Sequence, residues 1–173
     1  MRERDNDMRN ALAALVVVAA AGLAASGADE KYTSKEGKFT ARFPSDLTVK
    51  TEAKKAGAIE MQVASAKDDK ENSFTVMYVD LPAAAKAPPK AVLDGIEAGM
   101  VSKSGCKVES TKEITYGAAK YPGREVLVDK DGAKIKTRII LAESRVYIVF
   151  AGGPKGFGAT DAATKFLDSF ETK

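Results

Sequence analysis

Residues 153–160 read G-P-K-G-F-G-A-T, between a strand-like run and a helix-like one. A phosphate-cradling loop reads G-x-x-x-x-G-K-[ST]; its backbone N–H groups wrap the phosphates and its lysine reaches the terminal ones. Gly153, Gly158 and Thr160 match, but Ala159 stands where that lysine belongs. The dinucleotide pattern G-x-G-x-x-G fails too, with Asp161 in the place of its last glycine. Both patterns need a parallel sheet with right-handed crossovers, and the strands before this loop are joined as hairpins. The stretch therefore reads as a connection from the last strand to the last helix, with Thr160 as N-cap.

Other chemistry is scarce. The chain has no histidine, which removes Ser-His-Asp and Cys-His nucleophile pairs and the commonest zinc ligand. Asp68, Asp69 and Glu71 are acids in one turn, but they lack the spacing and glycine of a calcium loop, and Lys67 and Lys70 interrupt them. Met61, Met77 and Met100 fall in apolar stripes, which marks core rather than a copper site. Cys106 is the single cysteine, so it forms no internal disulfide. It shares strand parity with Val108 and reads as a small buried residue. The alternative is a thiol made more acidic by Lys103 or Lys107. No catalytic residue, metal site or cofactor is expected. Lys134, Lys136 and Arg138 form a basic row near Tyr147. It reads as a sheet face with cross-strand ion pairs or, more sharply, as a partner-docking surface, since Arg and Tyr are favoured interface anchors.

The 173 residues suit one domain, and a domain of that size buries roughly two-thirds of its unfolded surface without a disulfide or metal. The net charge of +3 is scattered along the chain. A nucleic-acid binder concentrates Lys and Arg and adds aromatic platforms, so nucleic acid is not an expected partner.

The first 28 residues read as a secretory signal peptide: Arg9, an uninterrupted run of apolar and small residues from Ala11 to Ala25, then Ser26-Gly27-Ala28 for cleavage. Translation starting at Met8 would remove a mixed-charge stretch unusual ahead of an export signal. The run is short for a membrane span, which takes about 20 apolar residues, so no stable span is expected after cleavage. An uncleaved anchor is the other reading. The mature domain, 29–173, would work outside the cytoplasm.

Chemistry aside, the elements are legible. Phe39, Ala41 and Phe43 alternate with polar residues in a half-buried strand closed by Pro44, with a short strand around Leu47–Thr51. Residues 58–66 alternate as a strand, 67–72 form a charged turn, and 73–81 is apolar on both faces, as in the middle of a covered sheet. A Pro/Ala linker, 82–89, leads into an amphipathic helix that Gly105 ends. Residues 106–116 form a strand and 117–123 a loop. From Arg124 to Phe150 the chain reads as a three-strand meander. With Asp131-Gly132 at the first tip, Asp129 faces Lys134 and Glu125 faces Arg138. A turn at Glu143-Ser144 sets Leu141 opposite Val146 and Ile139 opposite Ile148. Residues 160–171 close the chain as a helix with Ala163, Phe166, Leu167 and Phe170 buried. The sum is an antiparallel sheet of about six or seven strands with two helices on opposite faces.

EGKFTARFP, FTVMYVDLP before the Pro-rich linker, YPGREVLVDKDGAKIKTRIILAESRVYIVFAGGP and the closing ATKFLDSF helix together resemble the PsbP-like superfamily, from about Tyr32 to Phe170. The resemblance implies an α+β, three-layer α-β-α sandwich and a non-enzymatic protein that binds and stabilises others. Metal-associated sites of photosynthetic members lean partly on histidine, which is absent here, so no metal site carries over. The expected role is a secreted or periplasmic accessory domain docking on another envelope protein. The alternative is a carrier holding a small apolar ligand or lipid between sheet and helix.

Overall fold

A computed structural model describes residues 31–56, 59–82 and 87–173. Residues 1–28, read from the sequence as a signal peptide, and the middle of the Pro/Ala linker lie outside the described residues. The strands are β1 (Tyr32–Ser34), β2 (Phe39–Ala41), β3 (Lys50–Ala56), β4 (Ile59–Lys67), β5 (Ser73–Asp80), β6 (Lys107–Tyr116), β7 (Tyr121–Lys130), β8 (Ala133–Ala142), β9 (Arg145–Gly153) and β10 (Glu171–Thr172). The helices are α1 (Pro89–Ser104) and α2 (Asp161–Asp168), with a 3-10 turn at Phe157–Ala159.

Seven strands form one antiparallel sheet in the order β3-β4-β5-β9-β8-β7-β6. The meander keeps the register expected from its charges: Asp129 faces Lys134, Glu125 faces Arg138, Leu141 faces Val146 and Ile139 faces Ile148. Asp131 and Gly132 take φ of 54° and 83° at the tip, the left-handed pair that a tight hairpin requires. The apolar residues of β5 split between the faces. Phe74, Val76 and Tyr78 join the core under α2, while Val79 joins the one under α1. The helices thus cover opposite faces, and the fold is the α-β-α sandwich expected.

α1 is held partly by polar contacts. Leu93 packs on Val126, Ile139 and Leu141. Beneath the helix, the buried Arg124 donates to Asp94 Oδ1 at 2.5 Å and Glu97 Oε2 at 2.6 Å. Gly105, at φ 65°, ends the helix as expected. Under α2 the space is filled by aromatic packing: Phe74 and Phe43 meet Phe166, while Phe39 and Tyr147 meet Phe170.

Several expectations change. Phe39–Ala41 is not part of the large sheet. It is the middle strand of a second sheet, β1-β2-β10, and all three of its residues are buried, so alternation misjudged its polar side. β3 begins at Lys50, because Leu47 N–H closes a turn onto Pro44 O. The expected loop at 117–123 shrinks to four residues, since Tyr121 already faces Tyr116 in the β6–β7 ladder. The last helix stops at Asp168, and Glu171–Thr172 pair with β2 instead. Cys106 lies just before β6, half-buried against the α1-side core.

The glycine-rich connection is explained by packing. A Cβ on Gly158 would strike the backbone of β8 at Lys134 and Ile135, and one on Gly152 would strike Ile135. Gly156 N–H donates to Gly132 O, and Thr160 caps α2 by accepting from Ala163 N–H. The loop is glycine-rich because it lies directly on the β7–β8 hairpin.

Candidate functional site

The expected docking row is paired inside the chain. Lys134 Nζ lies 2.8 Å from Glu109, Lys136 Nζ donates to Thr164 Oγ1, and Arg138 bridges Glu125 and Asp168. Register places Asp129 beside Lys134, but Asp129 accepts the Gly132 N–H across its own turn. Tyr147 is only 3 % exposed and its hydroxyl donates to Gly37 O. It is a core residue with no ring face to offer a partner. The row and Tyr147 share a face, but they make no exposed patch together. In the acidic turn, Asp68 accepts from the Lys70 and Asn72 N–H groups and the Asn72 side chain, while Glu71 pairs with Lys67. Their oxygens hold the turn rather than converge on one point. Among the described residues no group of metal ligands assembles, and no helix is long and apolar enough to cross a membrane.

A cleft lies elsewhere, between the β1–β2 hairpin and the β3-β4-β5 end of the large sheet. Its first lobe, about 310 Å³, is walled by Tyr32 to Glu36 and floored by Gln62, Val63, Ala64 and Tyr78, with Thr51 beside Ala64. A second lobe, about 280 Å³, continues past Ile59, Glu60, Val79 and Asp80. Glu36, Gln62 and Tyr78 line both lobes.

Arg145 builds this cleft. It follows the Glu143-Ser144 turn at the start of β9, opposite Asp80 on β5. Its guanidinium grips both Asp80 oxygens, at 2.6 and 2.7 Å, and donates to Glu36 O at 2.8 Å. It also lies 4.6 Å above the Tyr78 ring, a favourable cation–π placement. Tyr147, donating to Gly37 O, fastens the same hairpin turn. The hydrogen bonds from Arg145 hold the Asp80 carboxyl below the usual carboxylate range. The pair is thus ionised at neutral pH and the hairpin stays anchored.

Tyr78 is the distinctive group. It is 7 % exposed and packs edge-on against Phe39, yet its hydroxyl has no hydrogen-bond partner among the described residues. Burial first, and then the Glu36 carboxylate, push that hydroxyl above the usual tyrosine value, so it stays a neutral donor. The buried side-chain atoms left without a partner among the described residues are Thr40 Oγ1, Thr137 Oγ1 and Arg124 Nε, so the Tyr78 hydroxyl opens on the cleft rather than into the core. With Gln62 and Glu36 beside it, the cleft offers donors and acceptors but no arranged nucleophile and base. Sequence reasoning placed Tyr78 in the core of a two-faced strand and missed this. The available signal was its hydroxyl, which an apolar strand interior leaves unsatisfied.

No family model matches the chain, and no curated protein matches it. Among solved structures it is similar to the solution structure of cyanobacterial PsbP (CyanoP) from Synechocystis sp. PCC 6803, with a TM-score of 0.62 at 7% identity, covering 83% of this chain and 92% of that one. The chain has the PsbP-like fold.

Proposed function

We propose that this chain is a non-catalytic accessory domain that works outside the cytoplasm and docks on another envelope protein through the cleft beneath the β1–β2 hairpin. The observation that carries the reading is the cleft itself, where the Tyr78 hydroxyl, with no hydrogen-bond partner among the described residues, opens on the junction of the two lobes. A docked partner can supply the hydrogen bond that water makes there otherwise. The apolar run Ala11–Ala25 supports an exported protein. The likeness to a PsbP structure is one of fold and supports the accessory role by analogy alone.

Photo-crosslinking tests the docking. A photoreactive residue replacing the exposed Thr33 at the cleft is compared with one replacing the exposed Lys155, on the loop after β9. In intact cells a discrete protein adduct is expected from position 33 and none from position 155. Equal adducts at both, or none at 33, would refute docking at this cleft. Thermal unfolding of the purified protein against lipids and sugars tests the carrier alternative. A ligand at a hundred times its dissociation constant adds about 2.7 kcal/mol, and such a shift would favour a carrier.

A further inference from the structure

Five consecutive residues, Tyr32 to Glu36, line one wall of the cleft. Successive side chains of a strand point to opposite faces. Three of the five are β1 and the other two its turn, so main-chain as well as side-chain atoms of β1 border the cleft. β1 has one neighbour, β2, and its other edge is unpaired among the described residues. Thr51 of β3, the outermost strand of the large sheet, lines the cleft beside its ladder partner Ala64. The cleft thus lies between the outer strand of the small sheet and the β3-β4-β5 face of the large one.

The chemistry of the slot is that of an amide binder. Charges of both signs lie around it and largely cancel: Arg145 is matched to Asp80, Lys55 lies 4.0 Å from Glu60, and Lys35 adjoins Glu36. No net charge selects an ion. The hydroxyl of Tyr78 and the carboxamide of Gln62 can donate to and accept from a main chain, and Ala64 leaves room over the floor. An aliphatic lipid chain would leave these polar groups unsatisfied.

We infer that the cleft binds an extended peptide segment of a partner protein, about three to five residues long, added as a strand along the free edge of β1 with its main chain near Tyr78 and Gln62. The inference rests on the docking reading above and specifies what docks. Strand addition takes affinity from main-chain bonds and specificity from alternate side chains. A small side chain over Ala64, with its neighbours turned out to solvent, is the pattern the slot admits.

The test uses a pool of N-acetylated, C-amidated hexapeptides with alanine at alternate positions and varied residues between, added to the isotope-labelled mature chain. Expected are saturable amide shifts confined to Tyr32–Glu36, Thr51 and Gln62–Ala64. Peptides N-methylated at alternate residues should bind at least about tenfold more weakly, the effect of losing one or two main-chain bonds. Tyr78→Phe should weaken binding roughly twofold to tenfold, the worth of one hydrogen bond, while leaving the melting temperature unlowered. The inference is overturned if no peptide shifts these amides at about 5 mM, where a millimolar site is mostly filled. Equal binding of the N-methylated peptides also overturns it. If peptides fail while the position-33 adduct forms, docking stands and the extended-strand mode is wrong. If both fail, the docking reading goes with it.

Discussion

Gly158→Ala separates a packing role for the glycine-rich connection from any ligand role. The added Cβ would lie on the Lys134 carbonyl, 2.6 Å from its carbon and 2.8 Å from Ile135 N, where ordinary contact begins at 3.4 Å. These are backbone atoms of β8, held between β7 and β9, so they cannot swing aside as a side chain could. To clear the Lys134 oxygen, the nearest atom, the loop must therefore retreat by roughly 1 Å, and overpacking of this kind costs about 1–3 kcal/mol. The same retreat stretches the Gly156 N–H to Gly132 O bond, now 3.1 Å, and its loss adds about 1 kcal/mol. A total of about 2–4 kcal/mol lowers the melting temperature of a domain this size by roughly 5–15 °C. Gly95→Ala is the paired control. Gly95 lies within α1, and a Cβ added there would meet nothing within 4 Å, so the change should stabilise by about 0.5–1 kcal/mol. Thermal and urea unfolding read both. If Gly158→Ala melts with the parent, or the two variants shift alike, the loop does not lie against β8 as described.

Tyr116 donates its hydroxyl to Phe170 O, and burial pushes its pKa up to about 12. Since the unfolded value is lower, near 10, the unfolded chain loses this proton first as pH rises. The contribution is fully present below about pH 10 and is lost as pH climbs toward the folded value. Tyr116→Phe should flatten the alkaline limb of the stability curve and remove the last step of a spectrophotometric tyrosine titration. Arg124→Leu should loosen α1, because Asp94 and Glu97 lose the cation that ties them to β7. Amide exchange across 89–104 should quicken, with a global cost of about 2 kcal/mol. Unchanged exchange would show that Leu93 and its neighbours hold the helix alone.

The meander was legible because two kinds of information coincided. Asp131-Gly132 fixed the turn, and Glu125/Arg138 and Asp129/Lys134 fixed the same register that the apolar pairs require. The small sheet was not legible. β1 and β10 are three and two residues long, too short for alternation to speak. The pairing of β10 with β2 joins residues near the two ends of the described chain, through contacts such as Lys173 N–H to Lys38 O. The cleft depends on that sheet, so it was hidden too. Arg145 and Asp80 lie far apart in the sequence, and only the β5–β9 ladder sets them opposite one another. In the basic row the Glu125/Arg138 pair was legible from the hairpin, but a local pattern cannot show that Glu109 and Asp168 arrive from elsewhere to join it.

The strand β6 closes the far side of the large sheet, with its first seven residues exposed and a bulge between Val108 and Ser110. Two molecules meeting there through a two-fold axis must set residues of the same face against each other. Over the regular stretch beyond the bulge, the pairing centred on Lys112 opposes lysine to lysine, and that centred on Glu113 opposes glutamate to glutamate. Like charges directly opposite destabilise a strand pair, and charged edges are a common guard against sheet-to-sheet growth. Crowded together, copies of this chain would meet repulsion in the pairing centred on Glu113, which uses the whole stretch from Ser110 to Tyr116, and in the one centred on Lys112. The long edge is thereby discouraged from pairing in full with a second copy of itself.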